Sequence, residues 1–188
     1  MAVSLTAWLI ASAAGSAAAR GLFELGTAPF WGVLVAGVQG LVLRRHGIPY
    51  MRWLTWSAGG WVAALLGARL ISSAVHGVAA LASGHLGTTS PDALQPVAVF
   101  VILGAAELGA LRPHMPAPLV WVALNALAGA VITYVESPLR VLIFAPVEAA
   151  VGVPGAEAAV GAALGAVYGA ITAPQMVRIG PPTNGIAP

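Results

Sequence analysis

Ala36-Gly-Val-Gln-Gly-Leu-Val-Leu-Arg-Arg-His46 and Gly104-Ala-Ala-Glu-Leu-Gly-Ala-Leu-Arg-Pro-His114 read as two copies of one segment. Leu43, Arg44 and His46 recur as Leu111, Arg112 and His114 at an offset of 68 residues, and the same offset carries Trp53 onto Trp121 and Ala58 onto Ala126. Arg, His and Trp are scarce in this chain, so their joint recurrence marks an internal repeat. A third copy follows from its pieces. Trp8-x3-Ser12-Ala13 reads like Trp53-x3-Ser57-Ala58 and Trp121-x3-Asn125-Ala126, and Gly165-Ala-Val-Tyr168-Gly169 reads like Ala36-Gly-Val-Gln39-Gly40. The unit is a helical hairpin used three times in tandem, about 1–45, 51–113 and 117–175. Two spans return the chain to its starting side, so the copies run parallel, with a pseudo-threefold axis along the membrane normal. Inverted repeats of the transporter type are a different pattern.

The solvent for this repeat follows from composition. Of 188 residues 59% are hydrophobic and 7% charged, and the mean hydropathy is +0.90. A soluble domain carries about 25% charged residues, and so few ions cannot cover the outside of a water-soluble fold of this size. In lipid the backbone must satisfy itself, as helices or as a closed barrel. The apolar runs are long and rich in Ala, Leu and Gly, without the alternation of barrel strands. The expected fold class is therefore all-α integral membrane, one transmembrane domain over 1–180 with a loose Pro-rich tail at 181–188.

A spanning helix needs about 20 apolar residues. Six candidates emerge at 3–19, 28–43, 53–74, 94–111, 119–135 and 158–173. The stretch from Ser137-Pro138 to Pro154 reads as interfacial or re-entrant. Ala17-Ala18-Ala19 looks like a cleavage site, but no basic residue precedes the apolar run, so the first segment is expected to stay as a helix. Arg44, Arg45, Arg52, Arg112 and Arg178 fall on one side and Arg20 and Arg140 on the other, which places both termini in the cytoplasm. The loop from His76 to Gln95 then lies outside. All eight basic residues are Arg, and the small positive balance speaks for membrane orientation, not nucleic-acid binding.

Helix contacts are expected from small residues. Gly32-x3-Ala36-x3-Gly40, Gly59-x3-Ala63-x3-Gly67 and Gly161-x3-Gly165-x3-Gly169 each lay a smooth stripe that lets backbones approach closely. Trp8, Trp53 and Trp121 sit where the odd-numbered helices leave the cytoplasmic interface, a level that suits an amphipathic indole.

Polar residues inside lipid are costly unless partnered and are functional candidates for that reason. The repeat arranges them in one layer. Ser12, Ser57 and Asn125 lie one turn in from the tryptophans, and Gln39, Glu107 and Tyr168 occupy matching points on the even-numbered helices. The bland reading is interhelical hydrogen bonding; the sharper one is a site for a head group, ion or pigment, with Glu107 its acid. Towards the outer face, Arg69 is expected to pair with Glu24, joined by Glu136. His46 and His114 stand in equivalent loops, where imidazole suits a metal or tetrapyrrole; loop histidines are more often polar caps. The chain has no Cys, so disulfides and thiolate-ligated clusters are excluded. No catalytic motif is present, and the expectation is a protein that is not an enzyme.

Gln39-Gly-Leu-Val-Leu-Arg-Arg45, the following Trp53 and the late Gly165-Ala-Val-Tyr-Gly-Ala-Ile171 resemble a group of multi-span membrane proteins of phototrophic and related bacteria that carry repeated Gln-Trp-x-Val-Leu-Arg segments. Gly40 replaces the Trp here, and the second copy has Glu107 for Gln. The resemblance implies architecture and a bacterial inner-membrane location, and no activity. Glu107 and Arg112 also resemble, in spacing, the Glu-x4-Arg of chlorophyll-binding light-harvesting helices, with Ala110 where that motif has Asn or His. The functional expectations are, first, a non-catalytic accessory subunit of a larger membrane complex, energy-transducing or photosynthetic, docked through its Gly/Ala-rich faces. The second is a small-solute or ion pathway through the polar layer. The third is a pigment- or lipid-binding protein. Bound lipid, a tetrapyrrole or a carotenoid are the cofactors in view. Membrane lipids and other transmembrane subunits are the expected partners.

Overall fold

Helix α1 spans Leu5–Gly21 and opens on Ser4, whose Oγ accepts the Ala7 N–H at 3.5 Å, the usual service of an N-cap hydroxyl to an orphan donor. In the computed structural model, residues 3–22, 31–83 and 94–179 are described, and among them there is no strand. Helix α2 is Trp31–Arg44, α3 is Tyr50–Ser83, α4 is Leu94–Leu111 and α5 is Pro118–Met176, with a 3-10 turn at Arg112–His114. Among the described residues, two helices are long and apolar enough to cross a membrane: Gln95–His114, with mean hydropathy 1.5, and Pro118–Met176, with 1.8. Gly32–Arg44 is a shorter apolar helix.

The turn between α2 and α3 shows how local chemistry sets the hairpin. Ile48 N–H reaches the Leu43 carbonyl at 3.2 Å, and Gly47 N–H reaches that of Arg44 at 3.3 Å. This is the Schellman pattern of helix termination, and it needs a left-handed residue, supplied by Gly47 at φ 85°. Leu43 and Ile48, the apolar pair that accompanies such a cap, are both fully buried. Pro49 then prevents α2 from continuing and starts α3, where Trp53 N–H bonds the Pro49 carbonyl at 3.0 Å. Arg52 completes the next end: its Nε and Nη2 donate to the Gly109 carbonyl at 3.1 and 2.7 Å, serving an acceptor in the last turn of α4.

Two stretches differ from the sequence reading. Helix α3 runs on to Ser83, so the first part of the segment expected as an outer loop is helical; its Ala/Val/Leu-rich composition gives it no reason to stop earlier. The stretch from Pro138 to Pro154, expected as interfacial or re-entrant, continues α5 through Pro138 and Pro146. The break comes at Gly152, with φ 79° and ψ 175°, a conformation open essentially to glycine alone. It divides α5 into arms 118–151 and 153–176. A straight helix of that length would reach about 88 Å, more than twice the bilayer, so the break is what lets both arms belong to one bundle.

Neighbours in sequence pack as neighbours in space, α1 on α2, α2 on α3, α3 on α4 and α4 on α5, and α5 returns to α1. The closing contact is made by the second arm. A Cβ on Gly165 would stand 2.3 Å from the Ser12 carbonyl oxygen and one on Gly161 2.5 Å from that of Ser16, so only glycine admits the α1 backbone there. The core cluster centres on Trp8, Trp53 and Trp121, each fully buried. The outside is oily: Leu70, Leu119, Tyr134, Val141 and Leu142 are each more than 70% exposed. The inside holds Ser12, Gln39, Ser57, Glu107, Asn125 and Thr172. Polar within and apolar without is the arrangement lipid demands and water penalises.

Candidate functional site

The six residues of the expected polar layer come together, pair by pair. Gln39 Nε2 donates to Ser12 Oγ at 3.1 Å, Ser57 Oγ to Glu107 Oε1 at 2.9 Å, and Tyr168 Oη to Asn125 Oδ1 at 3.0 Å. These bonds join α1 to α2, α3 to α4, and the two arms of α5 to each other. The tryptophans one turn away make the complementary links, each to the helical segment before it around the ring. Trp53 Nε1 donates to the Ala36 carbonyl at 3.0 Å, Trp121 Nε1 to Glu107 Oε2 at 3.2 Å, and Trp8 Nε1 to Thr172 Oγ1 at 2.9 Å. The rings also touch edge to face, Trp8 with Trp53 at 6.4 Å and Trp8 with Trp121 at 6.3 Å between centroids. The tryptophans therefore sit in a closed plug and not as separate interfacial anchors.

Sequence reasoning passed over Thr172. Its signal was the repeat itself: four residues after Tyr168, it occupies the position of Leu43 and Leu111, and a hydroxyl stands where two copies have leucine. Thr172 also returns its own proton to the Tyr168 carbonyl at 2.8 Å.

Above the layer lies a cavity of about 350 Å³ lined by every helical segment. Gln39, Ser57, Glu107 and Tyr168 form its floor. Val35, Leu65, Val99, Leu103, Ile132 and Leu164 are aliphatic walls, and Trp61 and Phe100 add aromatic faces. Trp61 meets Phe100 edge to face and Phe100 meets Tyr168 at a tilt, with centroids 6.2 and 5.8 Å apart. Arg20, Gln95 and Glu136 lie at the far end, eight to twelve residues along their helices from the polar layer, a depth of about 12–18 Å.

That far end carries an ion-pair network built on Arg20. Arg20 pairs with Glu136 through Nη2 and with Glu157 through Nη1 at 3.4 Å. Arg140 holds Glu157 with two nitrogens, at 2.7 and 3.0 Å. The expected partner of Arg69, Glu24, lies outside the described residues, as does the placement of the Arg69 side chain; Glu136 takes Arg20. The reason is geometric. Arg20 ends α1 beside the second arm of α5, where the small face of Gly161 draws the helices together, and Glu136 and Glu157 flank that approach. The network ties α1 to both arms of α5 across Gly152.

His114 is buried at the end of the 3-10 turn and His46 is half-buried in the α2–α3 turn. Neither lines the cavity. Among the described residues no group of three or more His, Cys, Asp or Glu is placed to hold a metal ion. The chain matches no family model, no curated protein and no solved structure.

Proposed function

We propose that this chain is a non-catalytic, six-span membrane protein of three helical hairpins about a pseudo-threefold axis, and that it holds a small molecule in the cavity between them. The carrying observation is that the cavity ends in hydrogen-bonded side chains from all three hairpins and that the tryptophan plug lies directly beneath. A pocket of this volume with apolar walls and a few convergent polar groups is what small-molecule sites look like. The same plug weighs against a solute pathway, because a continuous path would cross three buried indoles. The alternation of bonds within and between hairpins supports the threefold reading, and the apolar exterior supports immersion in lipid, with both termini on the cytoplasmic side of a bacterial inner membrane.

Purification in lipid nanodiscs followed by native mass spectrometry and an absorbance spectrum tests this. A small molecule bound to the wild type and absent from Ile132→Trp, which fills the cavity, is the expected result. An empty wild type with the same mass behaviour as Ile132→Trp would overturn it.

Membership of a larger complex is the second reading, and one observation favours it. Gly59 and Ala63 are exposed on α3 with nothing within 4 Å of a Cβ at Gly59, and Trp56, Val62 and Leu66 around them are exposed as well. This small-residue face fits a partner helix. The stripe of Gly161, Gly165 and Gly169 gives no such support, since α1 occupies it. The same native spectra report any co-purifying subunit.

A further inference from the structure

Resting on the reading of the cavity as a binding site, we infer that its ligand is an organic amine: an ammonium group seated on Glu107, with an apolar or aromatic body along the cavity walls. The floor presents acceptors. The Ser57 and Tyr168 hydroxyl protons, the Trp121 N–H and one Gln39 amide proton are all directed at protein oxygens. A carboxylate has about four acceptor positions, and Ser57 and Trp121 supply one bond to each Glu107 oxygen. The hydroxyl oxygens of Ser57 and Tyr168 keep lone pairs as well. A ligand that brings donors therefore meets several acceptors, whereas one that brings acceptors meets at most the second Gln39 amide proton.

Charge points the same way. Three ionisable acidic or basic chains line the cavity besides the tyrosine: Arg20, Glu107 and Glu136. Arg20 is held by Glu136 and Glu157 at the far end, so its charge is answered there. Glu107, fully enclosed among helices, has hydrogen bonds from neutral groups only in Ser57 and Trp121. An ammonium group would supply the opposite charge that burial makes valuable. Phe100 and Trp61 line the same cavity, and aromatic rings attract a cation. The volume suits a single-ring or drug-sized body.

The test uses three probes of nearly one shape in nanodiscs holding the full chain: 2-phenylethylamine, 2-phenylethanol and 3-phenylpropionate, followed by calorimetry. The amine is expected to bind about tenfold more tightly than the alcohol, the difference between a charge-assisted and a neutral hydrogen bond, and the acid more weakly still. Glu107→Gln should shrink the amine-to-alcohol ratio to about twofold or less, and Ile132→Trp should abolish binding of all three. Alcohol or acid binding as tightly as the amine, lost in Ile132→Trp, overturns the ligand class and leaves the cavity standing. An amine preference that survives Glu107→Gln also overturns the class. Binding unchanged in Ile132→Trp, or no binding by any probe, overturns the cavity itself. The comparison of probes on the wild type needs no variant, so it decides even where Glu107→Gln does not fold.

Discussion

The two ends of the bundle are built on different physics. At the tryptophan end, three buried indoles and three side-chain pairs interlock through hydrogen bonds, and Glu107 is the acid among them. At the arginine end, Arg20, Arg140, Glu136 and Glu157 are held by ion pairs that are partly open to the surroundings, next to a glycine break in α5. A packed, hydrogen-bonded layer resists deformation because its contacts are short-ranged and numerous. Each of the outer pairs, Arg20 with Glu136 and Arg140 with Glu157, has one well-exposed member, and such pairs are individually weaker. The cavity lies between the hydrogen-bonded floor and the ion-paired rim.

The largest test of this contrast is at the floor. Trp53→Ala removes a fully buried indole and its bond to the Ala36 carbonyl, and should cost about 3–5 kcal/mol in equilibrium unfolding from mixed micelles. Next comes the seam that closes the ring. Gly165→Ala forces a Cβ onto the Ser12 carbonyl and should cost about 1–3 kcal/mol by the same measurement. At the rim, Glu157→Gln weakens the bonds to Arg20 and Arg140, but Arg20 keeps Glu136, so the loss should be about 1–2 kcal/mol. A loss at Glu157 equal to that at Trp53 would erase the distinction between the ends. The smallest effect is expected on the open face of α3. Gly59→Ala meets nothing and replaces a poor helix former, so stability should rise by up to about 1 kcal/mol; a fall there would mean that another helix already lies against it.

Much of the floor was legible in the sequence because its residues recur at one offset. Ser12, Ser57 and Asn125 follow their tryptophans by four, and a spacing of four on a helix puts both on one face. The rim was less legible. Which glutamate meets Arg20 depends on how closely α1 lies on the second arm, and that distance is set by Gly161 and Gly165 from a remote part of the chain. In α5, Pro138 read as the start of a separate stretch, yet the helix continues through it and through Pro146, whereas the break falls at Gly152, two residues before the expected end at Pro154. The cavity was not legible either, since it is a gap between helices and has no motif of its own.

Whether three hairpins cross a membrane is directly measurable, because the chain has no cysteine of its own. Single cysteines at Arg45, Pro116 and Glu148, all exposed positions, can be challenged in intact cells and inverted vesicles with a membrane-impermeant maleimide. Glu148 lies thirty residues along α5 from Pro118, about 45 Å, beyond the far face of a bilayer. Arg45→Cys and Pro116→Cys should react only in inverted vesicles and Glu148→Cys only in intact cells. Labelling of Arg45→Cys and Pro116→Cys from opposite sides, or of all three from one, would contradict it.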